Sequence, residues 1–223
     1  LESLGTSSTL DSASVSGVLN LRAGTGDIHL NGSINVGSLS LAAAAGQVLQ
    51  TTGTSLNAAG MAQITASGDI SLARLASTDG AVTLIAGGDV LDNASGDSTA
   101  NIVLGTGALS IEARRIGAAN EDLDIDAARI ASLTATDSTL SATVIHASSA
   151  RALTLGQLDA SGNVSLTQTA GDLSLTGSVY ANALSLTASS GGLIQASGSL
   201  IVEGDLNLVT QGDIHLSGMV SRS

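Results

Sequence analysis

The residues with the most chemistry in this 223-residue chain lie between positions 112 and 129. Asp122, Asp124 and Asp126 alternate with Leu123 and Ile125, with Glu121 adjacent and Arg114, Arg115 and Arg129 close by. On a β-strand, side chains two apart share a face, so the three carboxylates line one outward side. Ca²⁺ takes carboxylate oxygens as ligands, which makes Asp122, Asp124 and Asp126 the candidate calcium set. The competing reading is a solvated ladder of charges that the arginines neutralise from neighbouring strands, the more common fate of such runs. The same group is also the one place where paired carboxylates adjoin basic residues, as glycan cleavage requires. Sugar grooves usually add aromatic platforms, and the single aromatic residue here is Tyr180. No nucleophile elbow, phosphate loop or zinc spacing occurs. The expectation is a protein that is not an enzyme, with no catalytic residue, no cofactor and no bound metal.

Three histidines invite the same question. His29 and His215 hold the same place in two matching pentapeptides, far apart in the chain, and His146 has no Cys or carboxylate at ligand spacing. All three read as surface residues. The nearest approach to a calcium-binding nonapeptide is Gly87-Gly88-Asp89-Val90, which lacks the further glycine and the tandem copies of that motif. The recurring Gly-Asp reads instead as a corner. Glycine supplies left-handed backbone, and aspartate bonds nearby amides as the turn leaves. Thr134-Ala135-Thr136 and Thr167-Gln168-Thr169 have the form of ice-binding triplets, but two copies do not make a plane.

What positions these residues is a repeat. Gly171-Asp172-Leu173-Ser174-Leu175 is written again at Gly26–Leu30, Gly68–Leu72, Gly204–Leu208 and Gly212–Leu216 with conservative changes. Two large aliphatics around one polar residue make a short strand with one buried face. Across the chain such pairs keep a polar residue in the middle, which helical spacing would not do. Pairs recur at 20 positions, as from Leu19 to Leu39 or Leu153 to Leu173. The chain therefore reads as all-β, a parallel β-helix or β-solenoid with about 20 residues per coil and roughly 11 coils, two or three strands in each. At the distance between paired strands that is a rod on the order of 50 Å. Leu173 points inward and Ser174 outward. Asp92-Asn93-Ala94-Ser95-Gly96-Asp97-Ser98-Thr99 should leave the coil as a loop, and residues 46–60 form weaker strands.

Composition agrees. There is no Phe, Trp, Pro or Cys, so Leu, Ile, Val and Ala must fill a narrow core layer by layer. The net charge of −12 carries seven arginines and no lysine, which excludes the basic face that nucleic acid needs. No apolar run is long enough to span a membrane. Residues 1–223 read as one continuous domain. No secretion signal opens the chain, and both ends fall within the repeat texture, so a piece of a longer polypeptide is expected, with flanking coils as its first partners.

The Gly-Asp-Ile/Leu-x-Leu phrases, the period near 20 and the Ala/Gly/Ser/Thr-rich, Cys-free texture resemble the repeat region of filamentous haemagglutinin-like exoproteins, adhesins exported by two-partner secretion. The resemblance covers nearly the whole chain. The family's amino-terminal secretion domain, with its Asn-Pro motifs, has no counterpart, since there is no proline. What the resemblance implies is a right-handed parallel β-helix serving as a fibrous, secreted or surface-anchored bacterial stalk. It also implies an outer-membrane partner during export and a host or bacterial receptor or glycan. The alternatives are a β-helical carbohydrate-active module, for which only loops 92–101 and 112–129 supply groove walls, and the stem of a contact-dependent toxin.

Overall fold

The computed structural model describes residues 2–3, 7–93, 99–118, 121–137, 140–144 and 151–221. Among these the chain is all strand and turn, and every pairing between its strands is parallel. Partners lie one turn apart, from 19 positions (Leu56 with Leu75) to 27 (Leu75 with Ile102). The fold is a β-solenoid of about 9 turns with about 21 residues in each. About 9 turns stand where roughly 11 coils are expected, and one turn runs well past 20 residues. Nine residues, 93 to 101, stand between Asp92 and Ile102, where the turn below has only Ala73 and Arg74 between Leu72 and Leu75. That is the expected loop, of which residues 94–98 lie outside the described residues.

The alternation seen in the sequence becomes one uninterrupted core. Leu41, Ile64, Leu84, Ile111 and Leu133 follow one another up a single wall, all at 1 % exposure or less. Each such side chain contributes about 1.5–3 kcal/mol by leaving water. Because every turn pairs only with the turns above and below, stability accumulates by nearest neighbours. In the last described turn the same inward positions open, and Ile214 is 44 % exposed.

Each turn has three faces. The first runs through Ser8, Ile28, Val48, Ile70 and Val90. The second runs through Ile34, Leu56, Leu75, Ile102 and Ile125. The third runs through Leu39, Ala62, Val82, Leu109 and Ile130.

In the strand Leu140–Val144 this scheme shifts. Leu140 lies on Ile116 of the first face, while Ala142 and Val144 lie on Leu123 and Ile125 of the second. One strand thus covers two faces, and the corner between them disappears. A new corner compensates. Leu109 pairs with Ile130 but Ser110 with Ser132, so Ala131 is an extra residue in its strand. Gly156 sits above Ala131, close enough that a Cβ would lie 2.2 Å from the Ala131 carbonyl oxygen. In the next turn the single strand Leu153–Ala160 is covered by two, Leu173–Leu175 and Val179–Ala181. Three strands per turn are restored, with their corners moved around the rod.

Candidate functional site

The corner shift explains where the acidic residues go. Leu123–Asp126 is the last strand of the second face below the shift, and all four of its residues are buried. Asp124 and Asp126 are only 7 % and 8 % exposed. The expectation of an outward solvated ladder is therefore corrected. Alternation placed Leu123 and Ile125 inside, and the two aspartates of the same strand are buried with them. Asp122 accepts a hydrogen bond from the Ser141 hydroxyl, on the strand that closes the old corner. Asp126 pairs with Arg151, Nη1 to Oδ1 at 3.6 Å, and the other Arg151 nitrogen reaches the Gly105 carbonyl at 3.3 Å. The Asp124 amide donates to Asn101 Oδ1 at 3.0 Å. Among the described residues, no three His, Cys, Asp or Glu side chains converge as a metal-ligand set.

The neutralising arginines expected for this strand are used elsewhere. Arg114 grips Asp89 with both ends of its fork, Nε to Oδ1 at 3.0 Å and Nη2 to Oδ2 at 2.9 Å. Arg115 adds Nε to Oδ2 at 2.9 Å and a second, shorter bond from Nη2. Burial raises the Asp89 carboxyl, but the hydrogen bonds from Arg115 and Arg114, with their charges, outweigh it and hold it below the ordinary 3.8. The same contact raises the Arg115 guanidinium. Arg129 is exposed on the third face.

The Gly-Asp corners form clamps between turns. Asp27 Oδ1 accepts the Gln47 amide, Asp69 Oδ1 the Asp89 amide and Asp172 Oδ1 the Gly192 amide, each at 2.8 Å. The partner is an amide one turn later, not one in the aspartate's own turn as expected. Left-handed backbone is needed at Gly171, with φ of 77°, and not at Gly26, Gly68, Gly204 or Gly212. At Gly212 the glycine serves close stacking, since a Cβ there would meet the Gly192 nitrogen at 2.9 Å.

His29 is half-buried, with Nε2 3.9 Å from Asp27 Oδ2. His215 is exposed beside Ile194, Asp172 and Asp213, lining a shallow open groove of about 370 Å³. His146 lies outside the described residues. Of the two threonine triplets, the Thr136 hydroxyl is turned back to the Ala113 carbonyl at 3.3 Å, and Gln168 points into the core.

A group that the sequence reading missed is a set of carboxamides inside the rod. Gln50, Asn101, Gln168 and Gln195 are at most 5 % exposed. Gln50 Nε2 donates to the Thr54 and Arg74 carbonyls at 3.0 and 2.9 Å, and its Oε1 accepts the Ala73 and Arg74 amides at 3.0 and 3.1 Å. Gln195 repeats this with the Gly198 and Gly218 carbonyls and the Ser217 and Gly218 amides. These carboxamides bond the corner amides of Ala73, Arg74, Ser217 and Gly218, and share the Arg74 and Gly218 carbonyls with the Leu56 and Leu200 amides. The signal was a polar residue standing in an aliphatic slot. Gln50 follows Leu30 in register and Gln195 follows Leu175.

The outward faces carry small polar rows from turn to turn, such as Asn57 on Asn35 at 3.0 Å and Thr51 on Asn31 at 3.1 Å. Among the described residues no helix is long and apolar enough to cross a membrane. A family model described as repeats of unknown function (DUF5649) matches residues 169–219, under a quarter of the chain. The match falls in the turns above the corner shift. No curated protein and no solved structure matches the chain.

Proposed function

We propose that this chain is a structural stalk segment of a large secreted or surface-anchored bacterial exoprotein, holding a distal part away from the cell and offering its outward rows and loops for attachment. The observation that carries this reading is the continuous ladder. The same inward wall runs from Leu19 to Val202, and aspartate clamps join turns both low and high in the stack. A solenoid that folds by adding turns to a formed end suits a chain that emerges progressively, as in export through an outer-membrane partner. Absence of cysteine frees that folding from any oxidant. The strong acidic charge keeps parallel copies apart. Adhesion, secretion route and location rest on the resemblance of the repeat phrases to filamentous haemagglutinin-like stems.

A stalk tolerates removal of whole turns, and a catalytic module does not. Ala183 lies directly over Asn163, so deleting residues 163–182 removes one turn in register. The stalk reading expects this variant to remain folded and to shorten by about 4.8 Å, measured by small-angle scattering. Neither it nor the intact chain should cleave a panel of bacterial and host polysaccharides. Measurable cleavage by the intact chain, lost on deleting the turn or on replacing Asp122, would replace the stalk with the carbohydrate-active alternative.

A further inference from the structure

Among the outward rows, one stack places reactive chemistry in register. Asn31 is followed by Gly32, the one Asn-Gly pair in the chain. The fold demands that glycine: a Cβ on residue 32 would lie 1.2 Å from the Asp11 carbonyl oxygen. The requirement leaves the Gly32 amide nitrogen, next to the Asn31 carboxamide, with no side chain on its own residue to shield it. The turns on either side contribute as well. From above, the Thr51 hydroxyl donates to Asn31 Oδ1 at 3.1 Å. From below, Asp11 Oδ1 accepts from Asn31 Nδ2 at 3.4 Å. Asn31 itself is exposed and its amide is tied to the Leu10 carbonyl at 2.9 Å, so the corner is held in place.

We propose that Asn31–Gly32 is a site of spontaneous, fold-assisted deamidation. The Gly32 nitrogen gives its proton to solvent and bonds to Asn31 Cγ. Negative charge develops on Oδ1, where the Thr51 hydroxyl is already placed to donate. Nδ2 takes up a proton from solvent, the Cγ–Nδ2 bond breaks as Oδ1 re-forms the carbonyl, and ammonia leaves past the Asp11 carboxylate, closing a succinimide. Water opens that ring at either carbonyl, giving an aspartate or an isoaspartate at position 31. The product stands one rung from Asp11, and like charges facing each other across neighbouring strands are destabilising. The modification therefore loosens the corner that joins the first turns.

The test is to hold the purified full chain in mildly alkaline buffer at physiological temperature and follow every asparagine by peptide mass mapping, with an isoaspartyl-specific methyltransferase as a second readout. Position 31 should convert before the other asparagines, and Asn31→Gln should remove its signal. Thr51→Val keeps the shape but loses the donor. It should slow conversion about fivefold, the value of one net hydrogen bond, in the folded protein and not in urea. Circular dichroism of the variant verifies that it folds. Equal rates for wild type and Thr51→Val in the folded state overturn the proposal. So does a folded chain that converts at position 31 much more slowly than the urea-unfolded one.

Discussion

Replacing Gln50 with leucine separates two accounts of this core. The hydrophobic pattern alone says that Gln50 is a flaw, because Leu30 occupies the same inward slot one turn below. On that view Gln50→Leu gains about 2 kcal/mol of burial. The structure says the opposite. Loss of the carboxamide removes the partners of the Ala73 amide, the Arg74 amide and the Thr54 carbonyl, whereas the Arg74 carbonyl keeps the Leu56 amide at 2.9 Å. Ala73 is 6 % exposed, so its amide bears most of the desolvation cost, and the other two groups are half-exposed. At about 1–3 kcal/mol for each orphaned group, the lower end applying to the half-exposed ones, the loss is roughly 4 kcal/mol. Set against the burial gain, the net is about 2 kcal/mol of destabilisation, or roughly 4–8 °C in melting midpoint for a chain of this size. Gln50→Ala, which also leaves a cavity, should fall further. Calorimetry gives the midpoints, and hydrogen exchange should show faster loss of protection at the Ala73 and Arg74 amides. A Gln50→Leu midpoint at or above the wild type would refute the reasoning.

Other expectations follow from single contacts. Leu173→Asp puts an unpaired charge at a position with 0 % exposure and should abolish the cooperative thermal transition of the upper turns; an unchanged melt would reverse the inward assignment. Asp124→Ala should cost about 1–3 kcal/mol by chemical denaturation, because a buried partner of neighbouring groups is lost. A solvated ladder would give a change within about 0.5 kcal/mol. Asp89 titrates below its ordinary value, so the stability it confers is present at neutral pH and is lost as pH falls through that lowered value. Asp89→Asn should accordingly be less stable than wild type at neutral pH, and the gap should close on acidification; a gap that persists into strong acid would show that the arginine clamp is not the source.

Much of the fold could be read from spacing, because a parallel solenoid writes its geometry into the sequence twice, as alternation within strands and as a period between them. Leu173 and Ser174 fall on the sides that alternation assigned. Three things were not legible. The turn-to-turn role of Asp27, Asp69 and Asp172 depends on a partner 20 residues away that carries no distinguishing side chain, since the acceptor meets a bare amide. The burial of Asp124 and Asp126 comes in the strand beneath the corner shift, and no local motif marks that shift. The assignment of Arg114 and Arg115 to Asp89 required knowing which turn lies beneath them, and the longest turn, 27 residues at Leu109 and 26 at Arg115, lies just there. Gln50 and Gln195, by contrast, were visible in principle, as polar residues breaking a periodic aliphatic column.

Parallel stacking in register is the claim on which the rod, its clamps and its proposed role as a stalk all depend. The chain has no cysteine, so a pair introduced at Ser165 and Ser185 reports it directly. These outward residues are register partners on adjacent turns, and neighbouring strands at about 4.8 Å fall within the Cα separation that a disulfide spans. Mild oxidation should close an intramolecular disulfide in Ser165→Cys/Ser185→Cys and none in Ser165→Cys/Ser174→Cys, whose second residue lies on a different face of its turn. Failure of the first pair to close, or ready closure of the second, would contradict the solenoid.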